Sequence, residues 1–128
     1  MELQPIKTDR APIPRGPYNQ AIQSGDTIYV SGQIPVDPRT NQIVEGDAAA
    51  QARQVFENIK AILEAAGASL DRVVKTTIFL ADVNDFAAVN AVYAEYFTGT
   101  LPARSTVAVA ALPGGGAKLQ VDAIAVSS

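Results

Sequence analysis

Residues 73–109, VVKTTIFLADVNDFAAVNAVYAEYFTGTLPARSTVAV, decide how the chain is read. VVKTTIFLAD, at 73–82, is β-branched and predicts a strand. VNDFAAVNAVYAEYF, at 83–97, predicts a helix, because Phe86, Val89, Tyr93 and Tyr96 fall at three- and four-residue spacings and Asp82 or Asn84 can cap it. After Pro102, small and β-branched residues predict a further strand from about Ala103 to Ala111. Two residues break the pattern. Asn90 stands four residues after Phe86, on the apolar stripe of the helix. Arg104 puts a guanidinium at the head of a strand that reads as buried.

Working outward, DAAAQARQVFENIKAILEAAG (47–67) predicts the clearest helix. Asp47 suits the N-cap and Gly67 the C-terminal cap, and Ala52, Val55, Phe56, Ile59, Ile62, Leu63 and Ala66 form one apolar stripe. NQAIQSGDTIYVSGQIPVD (19–37) predicts two strands turned at Gly25–Asp26. The second should run from about Thr27 to Gln33, with Gly32 a bulge or close-approach point. Pro5, Pro12, Pro14 and Pro17 make the first fifteen or so residues an extended arm. A last strand, about Ala117 to Val126, is expected to pair with the one before it through a hairpin loop, LPGGG.

The order β-β-α-β-α-β-β predicts an α/β (α+β) protein with one mixed sheet and two helices on one face, and 128 residues suit one domain, 1–128. Neither parity of VVKTTIFLA (Val74, Thr76, Ile78, Leu80 against Val73, Lys75, Thr77, Phe79) is wholly polar, and the same holds for LQVDAIAV. The sheet face left without helices therefore needs a cover, and copies of the same chain supply one most economically, which predicts a homo-oligomer.

Composition removes several kinds of chemistry. Cysteine and histidine are absent, so disulfides, Cys/His metal sites and Cys-His or Ser-His-Asp machinery are excluded. Acid–base work must come from Asp, Glu, Tyr, Lys, backbone groups or water. A formal net charge of -3 and no Lys/Arg block argue against nucleic-acid binding. No segment approaches the roughly 20 apolar residues of a membrane helix, and the polar, proline-rich start is unlike a signal peptide, so a cytoplasmic location is expected.

Arg104 and Thr106 share one strand parity, and Gln120 and Asp122 share another. If the last two strands pair as a hairpin, these groups can meet at one sheet end. Arg104 then either binds an anion with its fork of donors or forms a structural ion pair with Asp122 or another acid; from spacing alone the ion pair is the commoner outcome. Tyr18, after a Gly-Pro turn, either lines a pocket or packs the arm onto the sheet. Asn90 either binds a ligand or caps a local backbone group. PGGG lacks the lysine and the strand-loop-helix context of a phosphate cradle and reads as a loop.

In order along the chain, GPYNQA, YVSGQIP, the glycine after ILEAA, FLADVNDFAAVN and PARS resemble the RidA/YjgF family, from about Gly16 onward. The resemblance implies a chorismate mutase-like fold, a homotrimer with pockets between subunits, and hydrolysis of enamine/imine intermediates such as 2-iminopropanoate and 2-iminobutanoate to 2-oxo acids and ammonia. No cofactor and no metal are implied. By position, Arg104 resembles the arginine that holds the substrate carboxylate. Tyr18, Ser31, Gly32 and Asn90 resemble pocket residues. Thr106 stands where a cysteine is common, and Gln120 where a glutamate acts on the hydrolytic water. An amide positions a water but accepts no proton near neutral pH, so Gln120 departs from the family at its general base. Asp122 has the same facing but lies about 6.6 Å further along the strand. The departure keeps a second expectation open, a trimer that binds small carboxylates such as 2-oxo acids without turnover. The RNA cleavage ascribed to some relatives finds neither histidine nor a basic stripe here.

Overall fold

Leu119, Val121, Ala123 and Ala125 alternate along one strand, and all four are buried. In a computed structural model, which describes residues 2–127, they belong to β8 (Leu119–Val126), an inner strand of a six-stranded mixed sheet. The others are β1 (Leu3–Ile6), β2 (Ala21–Ser24), β3 (Thr27–Gln33), β6 (Val73–Leu80) and β7 (Ala103–Ala108), and the sheet order is β1-β2-β3-β8-β6-β7. All neighbours are antiparallel except β6 and β7, which are parallel. Two short strands, β4 (Val36–Asp37) and β5 (Gln42–Ile43), pair apart from this sheet.

Both helices cover the face that β8 buries. In α1 (Ala48–Ala65), Val55, Phe56, Ile59, Ile62 and Leu63 are fully buried, each worth about 1.5–3 kcal/mol relative to exposure. Asp47 caps this helix, its Oδ1 accepting from the Ala50 N–H at 2.9 Å, and Gly67 follows its end at φ +77°, the conformation that glycine accepts most readily. α2 (Phe86–Tyr96) packs beside α1 through aromatic edges: the Phe56 ring meets Tyr93 at 5.6 Å and Phe97 at 5.8 Å. The expected helices and the strand at 27–33 are therefore present, and the β3–β8 register breaks between Val30 and Gln33, around Gly32.

Three expectations are corrected. The last two strands form no hairpin, because β6 lies between them and bonds to both. Part of the arm is a strand: β1 pairs with β2 at the sheet edge, where Pro5 withholds no inner ladder bond. The prolines that follow are tied down by buried Gln20, which accepts from the Thr8 N–H at 2.8 Å and donates to the carbonyls of Thr8 and Pro12 at 3.0 and 2.9 Å. The parity of β6 also switches at its start. The β6–β8 register shifts between Val73 and Lys75, so Val73 joins the core with Thr76, Ile78 and Leu80 while Val74 is exposed.

Two buried polar groups carry opposite consequences. Gln51 ties α1 to the segment leading into β8: its Nε2 donates to the carbonyls of Val44 (3.2 Å) and Gly116 (3.0 Å), and its Oε1 accepts from the Lys118 N–H (2.8 Å). The Thr106 hydroxyl oxygen on β7 is buried with no hydrogen-bond partner among the described residues. Gln51→Leu should lower the unfolding free energy by about 2 kcal/mol or more, because it strands backbone groups away from water. Thr106→Val should raise it by about 1 kcal/mol, because it removes an unpaired buried hydroxyl at nearly constant shape. Urea titrations of both variants check the pair of signs. A Thr106→Val variant less stable than the parent would mean that this hydroxyl is satisfied in the folded protein.

Candidate active site

On β7, Arg104 is aligned with Thr76 and Thr106 with Ile78, so both residues belong to the helix-covered face. Arg104 reaches the stripe of α2. Its Nη1 donates to Asn90 Oδ1 at 2.8 Å. Its guanidinium carbon stands 4.8 Å from the centre of the Tyr93 ring and 5.7 Å from that of Phe86. Asn90, Tyr93, Ala94, Phe97, Leu101, Pro102 and Arg104 line an open cleft of about 470 Å³.

Among the described residues no carboxylate forms a salt bridge with this cation. The salt bridges among the described residues are Arg10–Glu64, Arg39–Asp37 and Arg53–Glu95. The structural alternative for Arg104, pairing with Asp122, is not realised. Asp122 is aligned with Thr77 on the opposite face of the sheet. There burial pushes its carboxyl up, against the opposing pull of the Thr77 hydroxyl and the Lys75 ammonium. Nor does Asn90 cap the backbone, since its oxygen serves Arg104. Donors of the guanidinium beyond the one given to Asn90 remain for an anion, and a carboxylate fits that fork.

The second group of candidates lies on the helix-free face. Gln120 is aligned with Phe79 there, and its side chain lies across Gly32. A Cβ on Gly32 would collide with the Gln120 amide nitrogen and lie 2.9 Å from its Cδ, so a larger residue at 32 would displace the Gln120 side chain from this position. Ser31 Oγ donates to the Asn19 carbonyl at 2.6 Å. Tyr18 is half-exposed, and its hydroxyl accepts from the Arg15 N–H at 3.1 Å within its own turn. Tyr18 and Gly32 line one small cavity together, and Tyr18 also borders a cleft of about 610 Å³ with Lys7, Ile13 and Asn19.

The predicted residues thus fall into two groups. Arg104, Asn90 and Thr106 share one face, whereas Gln120 and Gly32 meet on the other, with Ser31 and Tyr18 beside Gly32. One copy of the chain does not bring Arg104 and Gln120 together. The conditional convergence of Arg104, Thr106, Gln120 and Asp122 at one sheet end fails with the hairpin that it required. Composition and spacing did not single out Tyr93, Phe86 or Thr76 as parts of the Arg104 environment. The signal was present as Phe86, Asn90 and Tyr93 at four- and three-residue steps along one helix stripe, which points an amide and two rings the same way.

A family model described as Endoribonuclease L-PSP matches residues 8–127. A Salmonella typhimurium protein named 2-iminobutanoate/2-iminopropanoate deaminase is 52% identical over 124 residues, covering 94% of this chain and 95% of that protein. The crystal structure of yeast YEO7 superposes with a TM-score of 0.95 at 50% identity, covering 99% of this chain and 100% of its own. The E. coli TdcF structure with bound serine superposes with a TM-score of 0.91 at 46% identity, covering 98% of this chain and 99% of its own. With a match that spans nearly every residue and a shared mixed sheet and helix pair, the chain belongs to the RidA/YjgF family and has its chorismate mutase-like α+β fold.

Proposed function

We propose that the chain hydrolyses reactive 2-imino acids, 2-iminopropanoate and 2-iminobutanoate, to 2-oxo acids and ammonia. The observation that carries this is Arg104, a guanidinium without a carboxylate partner among the described residues, at the edge of an open cleft. The named activity of the Salmonella relative and the serine bound to TdcF agree with a small carboxylate as ligand.

The working site is a homo-oligomeric one, a trimer by family resemblance, in which the Arg104 half-site of one copy faces the Gln120 half-site of another. Exposed Tyr29 and Val107 on the helix-free face support assembly through that face. Arg104 holds the substrate carboxylate and so fixes the imine carbon. Water adds to that carbon while its proton passes to the imine nitrogen. The carbinolamine then collapses: its hydroxyl proton passes to the amine nitrogen, the C–N bond breaks, ammonia leaves and the carbonyl forms. Gln120 orients the water through its amide, and the basicity comes from the substrate nitrogen, because an amide takes up no proton near neutral pH. No step needs a metal or cofactor.

The amide at Gln120 also favours a second reading, a trimer that binds 2-oxo acids without turnover. Coupling the protein to a dehydratase and trapping residual imine with semicarbazide separates the two. Arg104→Ala should lower kcat/KM about 100-fold, the loss of a charge-assisted, bidentate contact. Gln120→Glu should raise kcat about tenfold or more by supplying a base, and should add a fall in rate at acid pH that the parent lacks. An unchanged rate in Arg104→Ala removes the anchor, and an unchanged rate in Gln120→Glu removes residue 120 from the water's position. Calorimetric binding of 2-oxobutanoate without hydrolysis above background would establish the binding reading instead.

A further inference from the structure

We propose that Tyr93 is a positioning residue of the anion site: its ring, together with that of Phe86, is the seat that aims the Arg104 guanidinium into the cleft. This inference rests on the carboxylate-anchor function of Arg104 and adds how the anchor is held.

The seat has no acidic component. An arginine side chain with one hydrogen bond keeps much of its rotamer freedom, and ordering it costs binding free energy. A carboxylate partner would order it but would also occupy its donor fork and cancel its charge. Ring faces attract a cation without doing either. Here the guanidinium carbon stands 4.8 Å from the Tyr93 centroid and 5.7 Å from that of Phe86, and Nη1 donates to Asn90 at 2.8 Å. These three supports stand on one stripe of α2, so a single rigid element carries the whole seat.

Tyr93 is itself immobilised, which a seat requires. Its side chain is buried, its hydroxyl is 2.8 Å from Thr76 Oγ1, and its ring stacks on Phe97 at 4.4 Å with an edge-on contact to Phe56 at 5.6 Å. Thr76 is the register partner of Arg104 on β6. Thr76, Tyr93 and Arg104 therefore close a loop from strand to helix to the neighbouring strand. Burial pushes the Tyr93 phenol up, against the Thr76 bond and the Arg104 charge, so the ring stays neutral and offers Arg104 no phenolate.

The test measures the Kd of 2-oxobutanoate, by calorimetry and by NMR titration into the millimolar range, beside KM and kcat for imine hydrolysis. Tyr93→Phe, Tyr93→Leu and Phe86→Leu are compared alone and with Arg104→Ala. Tyr93→Phe keeps the ring and should stay within about twofold of the parent. Tyr93→Leu should raise Kd and KM about tenfold and Phe86→Leu about threefold, with kcat nearly constant. With Arg104→Ala present, none of the ring substitutions should add a further loss. Phe86 is 41% exposed, so Phe86→Leu decides the matter if Tyr93→Leu does not fold. The proposal falls if Arg104→Ala weakens binding while the folded ring variants do not, or if their losses persist without Arg104. If Arg104→Ala leaves Kd unchanged, the anchor function fails, and the seat with it.

Discussion

β6 lies between β7 and β8 and hydrogen-bonds to both, and that placement decides where each chemical group of the sheet ends up. A hairpin of β7 and β8 would have put Arg104 and Gln120 on adjacent strands. With β6 inserted, Thr76 fixes the facing of Arg104 on one side, and Phe79 fixes that of Gln120 on the other. Strand pleating leaves no freedom here, since alternate residues point to opposite faces. The molecule therefore presents a cationic cluster beneath α2 and an amide cluster beside the β3 bulge, with a sheet between them.

The two halves are built differently. The Arg104 half is rigid and pre-charged. α2 packs through Val89, Val92 and Tyr93 into the core, and along a stripe that shares Tyr93 it carries Asn90 and Phe86 against the guanidinium. Leaving this cation without a carboxylate forgoes an ion pair, a loss that is small at a partly exposed position. The Gln120 half depends on backbone geometry. Gly32 stands within the register break and carries no side chain, and the amide of Gln120 fills the room. Gln51 and Gln20 secure the segments that lead into β8 and Tyr18.

Local order was legible and non-local order was not. The stripe from Ala52 to Ala66 identified α1, Asp47 marked its start, and Gly32 marked the bulge, because each of these signals lies within a few residues of its effect. The insertion of β6 between β7 and β8 rests on pairings between segments tens of residues apart, and no local pattern encodes them. The parity switch at Val73–Val74 depends on a bulge against β8, in a run where either parity is apolar enough to be buried. Arg104 stood out as a cation at the head of a strand. That it is seated on Tyr93 and Phe86 and is free of Asp122 follows from the sheet order, which had to be seen.

On the proposed function, one working site takes Arg104 from one copy of the chain and Gly32 and Gln120 from another. Hybrid assemblies separate this arrangement from one in which both groups serve a site within a single copy. Arg104→Ala and Gly32→Val chains, carrying different affinity tags, are co-expressed, purified through both tags and assayed for 2-iminobutanoate hydrolysis. If the halves belong to different copies, some sites in a hybrid are intact on both sides, and the hybrid recovers activity that neither parent variant has. A hybrid no more active than the sum of its parents would contradict the account.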